Sequence, residues 1–430
     1  MDYDFDVIVV GAGVAGCIAA TQLSREGHEV LLVERGVEPG AKNLSGGVFY
    51  TRVLDEVFPD FVEQAPIERI ITRNTLSFLN EDSAVNIDYW DRKLAEPVNA
   101  VSVLRAHLDP WLAEQAEEAG VAIIPGIKVD RLLREGTHFT GIEAAGEQMR
   151  AKVTIVAEGV NSFLAHEAGV RATPKSKHLG LGVKSVIRIG EQAVQERFNL
   201  TGNEGAAYAI VGDATLGVPG GGFLYTNKDS ISIGVVLMLD KLTQSGLASS
   251  DIHDHMINHP YYAPFLEGGE LLEYGCHLVA EGGEAMQEDL VHDGLVLIGD
   301  AAGFTLNTGL TVRGMDMAAG SAISAARTVH DALEAGDYSR LQLNSYVTDY
   351  QSTFVGKDMH TYRRAPEFLE NDPLMFTQVG PLLADVFYRA YNHDLSPRKP
   401  LVKVALDAFK ASGVKVRDLA RTGIAALRAL

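Results

Sequence analysis

The first thirty-four residues constrain the fold more than any other stretch. Val7–Val10 is a short β-branched run of the kind that forms a strand buried on both faces. It feeds into Gly11-Ala12-Gly13-Val14-Ala15-Gly16, after which Ile18, Ala19, Ala20 and Leu23 recur at helical spacing until Gly27 and His28 end the helix. Val30–Val33 is a second apolar strand, closed by Glu34. Strand, glycine turn, helix and strand make a βαβ unit in which each glycine has its own task. Gly11 permits the tight turn, Gly13 lets the backbone approach a pyrophosphate, and Gly16 lets helix and strand pack with no Cβ between them. N–H groups at the helix start then receive the phosphate charge. Glu34, 18 residues beyond Gly16, can accept hydrogen bonds from ribose hydroxyls; taken alone, it also reads as a solvated strand end. This unit does not by itself separate a flavin from a nicotinamide dinucleotide.

A second segment makes that distinction. Gly294–Gly299 is another apolar strand, and it runs into the small-residue turn Asp300-Ala301-Ala302-Gly303. Asn307-Thr308-Gly309 follows, and then a helix expected from about Val312 to Ala335, rich in Ala, Gly and Met at its start. Small residues let such a helix lie close beneath a flat ligand, and its N-terminal dipole stabilises negative charge. A reduced flavin carries that charge at its pyrimidine edge, so the arrangement points to FAD. Asp300 is placed to accept from a ribityl hydroxyl, its alternative being a helix cap. Leu104, Leu108, Trp111, Leu112, Ala116 and Ala119 mark an amphipathic helix ending at Gly120. Arg105 near its start has two readings, a fork on the pyrophosphate or a surface salt bridge. Val153–Ala157 is a further buried strand leading into Glu158-Gly159-Val160-Asn161-Ser162.

Together these segments resemble the glutathione-reductase-type FAD fold, and within it the p-hydroxybenzoate-hydroxylase-like branch. One departure is Glu158, where that branch commonly has Asp, so no role is carried onto it. Three stretches narrow the resemblance: Pro39 to Gly47 with Lys42 and Asn43, Gly220 to Asn227, and Leu306-Asn307-Thr308-Gly309-Leu310-Thr311-Val312-Arg313-Gly314-Met315-Asp316. These resemble the electron-transfer flavoprotein–quinone oxidoreductases of the FixC type, with the likeness running from residue 4 to about 410. The resemblance implies electron transfer from a two-subunit electron-transfer flavoprotein to a membrane quinone, with a small ferredoxin-like iron–sulfur subunit as a separate partner. It implies cofactor binding by Gly11, Gly13, Ala15, Gly16, Glu34, Arg35, Lys42, Gly47, Arg105, Gly299, Asp300, Gly309, Leu310 and Thr311. Gly46, Gly47, Asn307 and Thr308 are expected nearest the flavin, and no catalytic side chain is assigned. A prenyl (geranylgeranyl) reductase on the same fold is the alternative function, and an NADPH-dependent aromatic monooxygenase a more distant one.

The expected fold class is α/β: a discontinuous Rossmann-like FAD domain (1–73, 100–178 and 280–340), an inserted antiparallel sheet for the substrate or quinone (74–99 and 179–279), and a helical C-terminal region (341–430). Phe223 to Gly234 reads as a hairpin turning near Asn227 to Ser230. Composition matters at three points. Only Cys17 and Cys276 are present, both expected to be small buried residues, so this chain alone cannot supply the about four thiolates of an iron–sulfur cluster, and no metal site is expected. His253, His255 and His259 are expected in a polar loop. A net charge of −20 argues against a nucleic-acid partner. Past Ser396 the balance reverses: Arg398, Lys399, Lys403, Lys410, Lys415, Arg417, Arg421 and Arg428 face only Asp407 and Asp418. Val402, Leu406 and Phe409 form one apolar stripe there, and Val416, Leu419 and Leu427 suggest a second. A basic amphipathic tail reads either as a contact with a membrane or partner or as a solvated end helix. The stripe Met375, Val379, Leu382, Leu383, Val386 and Phe387 reads as core packing or as a path for lipid or quinone. With no signal peptide and no spanning helix expected, the protein is placed in the cytoplasm, peripheral on the cytoplasmic face of the membrane.

Overall fold

A computed structural model describes residues 2–41 and 47–430. The βαβ unit forms as strand Phe5–Val10, helix Val14–Arg25 and strand Val30–Val33, with Val7 opposite Val30 in a parallel pair. On its other side Phe5–Val10 pairs in parallel with Glu147–Val156, which pairs in parallel with Leu295–Leu297. Successive residues Val7, Ile8 and Val9 are all fully buried, so both faces of the central strand are covered, which is why it reads as an unbroken apolar run. Helix Val14–Arg25 packs against helices Arg105–Glu118 and Met315–Ala335. The last of these buries Ala318, Ala319, Gly320 and Ala322 near its start, so its backbone comes close to its neighbours. Complete burial of Ile18 and Leu23 stabilises the unit by about 1.5–3 kcal/mol each.

A second, nine-stranded sheet is mainly antiparallel. Its order is Glu270–Ala280, Leu179–Arg188, Ser230–Met238, Gly220–Thr226, Glu204–Gly212, Ile67–Asn80, Ala100–Val103 and Gly47–Tyr50, with Ser83–Trp90 added on Ile67–Asn80. The hairpin joins Gly220–Thr226 to Ser230–Met238, closed by the Asn227 N–H on the Ser230 carbonyl at 2.8 Å. The two sheets divide the chain differently from the expected boundaries. Ile67–Asn80 is a single strand running through position 73, and Gly47–Tyr50 and Ala100–Val103 join its sheet rather than the parallel one. Arg69 holds this junction. Its buried guanidinium donates to the carbonyls of Asn227 at 2.6 Å, Gly202 at 2.9 Å, Glu204 at 3.0 Å and Lys228 at 2.8 Å. A buried cation is tolerated there because its donors meet carbonyl oxygens.

Other expectations are corrected. His253 and His255 lie on a helix, Ser249–Ile257, not in a polar loop; His253 and His259 are buried, and His255 pairs with Asp213 at 2.6 Å. Cys17 is buried but Cys276 is exposed. In helix Val379–Tyr391 the residues Val379, Leu382, Leu383 and Val386 are half-buried and Phe387 is exposed; the side chain of Met375 lies outside the described residues. The tail forms helices Leu401–Ala411 and Val416–Ala429. Val404 and Ala408 turn inward on the first, while Leu401, Val402 and Leu406 remain exposed, as do Val416, Ile424 and Leu427 on the second. No helix among the described residues is long and apolar enough to cross a membrane.

Candidate functional site

The glycine turn is shaped by what it must avoid. Gly11 has φ +105°, a left-handed conformation that favours glycine, and a Cβ there would collide with the Ala157 carbonyl. A Cβ on Gly16 would collide with the Gly11 carbonyl, so Gly16 serves packing and does not line the cavity. Gly13 does line it, and a Cβ there would lie 3.4 Å from Arg105 Nη2. Both oxygens of Glu34 accept from backbone: Oε2 from Ala12 N–H at 2.9 Å and Oε1 from Gly36 N–H at 2.5 Å. The strand-ending acid therefore holds the turn it follows.

The cavity beside this turn has a volume of about 1270 Å³, above the about 300–1,000 Å³ usual for one small ligand. Gly11, Gly13, Ala15, Glu34, Arg35, Gly47, Arg105, Gly299, Asp300, Asn307, Gly309, Leu310 and Thr311 all line it. Thr308 does not; its hydroxyl bonds the Thr311 hydroxyl at 3.0 Å and accepts the Thr311 N–H at 3.1 Å. Lys42 and Gly46 lie outside the described residues.

Arg105 clasps Asp109 with two bonds, Nε to Oδ1 at 2.5 Å and Nη2 to Oδ2 at 2.6 Å. Because Asp109 is buried, this is not the surface salt bridge of the alternative reading, and the guanidinium is held beside Gly13. Asp300 heads a 3₁₀ turn, Gly299–Ala302, and its side chain caps no helix. Burial raises its carboxyl above the ordinary range, with Arg105 and then His277 acting against that. Among the described residues its carboxyl takes no hydrogen bond, so the cavity wall offers an open acceptor there. Bare backbone at Gly13, a fixed guanidinium next to it, and an open carboxyl at Asp300 suit FAD.

Three polar residues of this region had no role in the sequence reading. Lys184 lines the cavity yet is only 1% exposed, and burial lowers its ammonium to about 7, with Glu273 opposing the shift and Arg105 adding to it. Its neighbours across the sheet are Gly234 and Gly275, which leave it room. A lone Lys inside the apolar strand Leu179–Arg188 was the available signal. Glu281 also lines the cavity, and burial raises its carboxyl to about 7. Glu158 accepts the N–H groups of Leu164 and Ala165, both at 3.0 Å, and so caps helix Phe163–Glu167 from the cavity wall. Away from this site, His28, His330 and Glu334 bring three ligand-type atoms within 4.8 Å, the two rings bonding each other at 2.9 Å.

Comparison with known proteins places this architecture. The family model described as FAD dependent oxidoreductase matches residues 6–178. Over all 430 residues, the full length of both chains, the protein is 43% identical to the probable electron transfer flavoprotein-quinone oxidoreductase YdiS of Escherichia coli (strain K12). It is 41% identical over 410 residues to protein FixC of Salmonella typhi, covering 95% of each. Among solved structures, a geranylgeranyl bacteriochlorophyll reductase-like protein of Thermoplasma acidophilum aligns with TM-score 0.68 over 97% of this chain and 99% of that one, at 20% identity. The flavin-dependent brominase Bmp2 aligns with TM-score 0.65 over 98% of each, at 17% identity. These two share the fold. Identity above 40% along the whole length goes further: the chain is an FAD-dependent oxidoreductase belonging to the FixC-type electron transfer flavoprotein-quinone oxidoreductase family.

Proposed function

We propose that the protein takes electrons from a two-subunit electron-transfer flavoprotein and passes them through FAD to a membrane quinone. The observation that carries this reading is one cavity with two kinds of lining. The glycine turn, Glu34 and Arg105 line it, and so do Ile87, Leu310 and Val312, apolar side chains that are more than half exposed, with Tyr89 also more than half exposed. The first set suits a dinucleotide and the second a greasy ring or tail. Gly11, Gly13, Ala15 and Arg105 would hold the pyrophosphate, Glu34 and Arg35 the adenosine end, Asp300 and Gly299 the ribityl chain, and Gly47 with Gly309, Leu310 and Thr311 the ring system. Bound there, FAD supplies a carrier that accepts electrons from one partner and yields them to another. The chain's own residues orient that carrier and exclude water from it.

A peripheral position on the cytoplasmic face of the membrane fits this role. The exposed apolar faces of Leu401–Ala411 and Val416–Ala429 sit among basic side chains on a body of net charge −20, so an anionic surface would attract the tail and repel the rest. With Cys17 buried and Cys276 far from it in sequence, a cluster would come with a separate ferredoxin-like subunit. The test supplies the FAD-loaded protein with reduced electron-transfer flavoprotein and a short-chain quinone, and in parallel with prenyl diphosphates or with NADPH and an aromatic acceptor. Quinone reduction is the expected result. Hydrogenation of the prenyl chain, or NADPH-driven hydroxylation, without quinone reduction would overturn the reading. Iron should follow a co-purifying small subunit and stay well below one per flavin in the chain alone.

A further inference from the structure

Glu281 follows the last residue of strand Glu270–Ala280, where its N–H donates to the His178 carbonyl at 2.9 Å. It lines the cavity although only 9% of its surface is exposed. One carboxyl oxygen is engaged: Asn307 Nδ2 donates to Oε2 at 3.1 Å. Asn307 has no freedom to turn over, because its Oδ1 accepts the Gly309 N–H at 2.8 Å, which leaves its amino group for the acid. Among the described residues Oε1 has no hydrogen-bond partner. Gly180 lies against the Glu281 side chain, its Cβ position 3.3 Å from Glu281 Cγ. His178 flanks it from the preceding turn, and Glu284 from the following one is paired with His360 at 3.1 Å. Other ionisable groups that line the cavity include Lys184, His277, Asp300, Arg105 and Glu158. None of these sets its proton affinity: burial raises it to about 7, and only the Asn307 bond opposes that. Burial thus brings the Glu281 carboxyl to about 7, and among the described residues its second oxygen has no hydrogen-bond partner.

Quinone reduction needs such a group. Each quinone takes up two electrons and two protons; here the electrons come through the cofactor from the reduced flavoprotein partner, and the protons must come from the cavity wall or from solvent. We propose, on the reading of function given above, that Glu281 is the proton donor of this cavity, with Asn307 as the residue that positions it. The carboxyl O–H breaks as an O–H bond forms on one quinone oxygen. The second quinone oxygen takes its proton from solvent, and the carboxylate left behind is reprotonated from solvent before the next turnover.

The experiment uses the FAD-loaded full chain and its Glu281→Gln and Glu281→Asp variants. Each is assayed with a quinone and with ferricenium, a one-electron acceptor that takes up no proton. Glu281→Gln should lower the ratio of quinone to ferricenium reduction about 100-fold, the low end of what a positioned proton donor contributes. Wild-type quinone reduction should fall as pH rises through about 7, where the acid loses its proton; the Gln variant should lose that dependence and the Asp variant regain part of it. As a readout independent of turnover, the infrared C=O stretch of protonated carboxyls should lose one component in the Gln variant below that pH. A ratio and pH profile unchanged in Glu281→Gln would overturn the proposal alone. Equal loss of both acceptors would also overturn it, as a structural role. If the wild-type protein reduces ferricenium but no quinone, the reading of function itself has failed.

Discussion

Replacing Lys184 by Met measures what a buried ammonium costs this fold. Burial carries its affinity for a proton from 10.5 to about 7. Between those values the unfolded chain holds a proton that the folded chain does not, so stability rises with pH across that window and is lowest at and below about 7. At about 1.4 kcal/mol per pH unit the penalty is about 4 kcal/mol at neutral pH and about 2 kcal/mol less at about pH 9. Lys184→Met keeps the volume and removes the charge. The stability of the variant relative to wild type should therefore be about 2 kcal/mol higher at neutral pH than at about pH 9. Denaturant midpoints of the two FAD-saturated proteins at both pH values provide the comparison, and titrations common to both cancel in the difference. A gap that is the same at the two pH values would refute the reasoning, because only a lysine that has released its proton in the folded state gives that slope.

Two further outcomes follow from the site and the tail. Gly13→Val should abolish FAD retention, since its Cβ would sit 3.4 Å from Arg105 Nη2 and its methyl groups would fill the space of the pyrophosphate; gel filtration followed by the flavin absorbance of the protein peak checks this. Ending the chain after Pro397 should leave FAD content intact and weaken binding to anionic vesicles, each basic residue near such a surface contributing about 1 kcal/mol, less at high salt; a vesicle co-sedimentation assay unchanged by the truncation would rule the tail out as the contact.

What the sequence conveyed well was local. The glycine turn and its flanking strands are specified by adjacent residues, and the parallel strands read as apolar runs because both their faces are covered. The hairpin expected over Phe223 to Gly234 formed as well, its turn specified by Asn227 to Ser230. Partnership between distant segments was less legible. Nothing local in Ile67–Asn80 announces that it continues through position 73 into the second sheet, because that depends on Ala100–Val103 and Glu204–Gly212 arriving beside it. Lys184 and Glu281 owe their character to burial by other strands, which no spacing encodes. The helix Ser249–Ile257 was hidden by its polar composition: Asp251, Asp254 and Ser250 face outward while Ile252, His253 and Met256 pack inward.

The clasp of Glu34 on Ala12 and Gly36 bears on which nucleotides this chain admits. A carboxylate already fixed by two backbone donors gives an incoming ribose a stationary acceptor, so little rotamer freedom is lost when the ligand arrives. The same fixity discriminates by charge. A phosphate on that ribose would stand against a carboxylate that cannot swing aside, a repulsion of about 4 kcal/mol for each unit charge at about 4 Å near a protein surface. With Glu34 at the adenosine end, as proposed, a dinucleotide phosphorylated on that ribose would be turned away from this pocket.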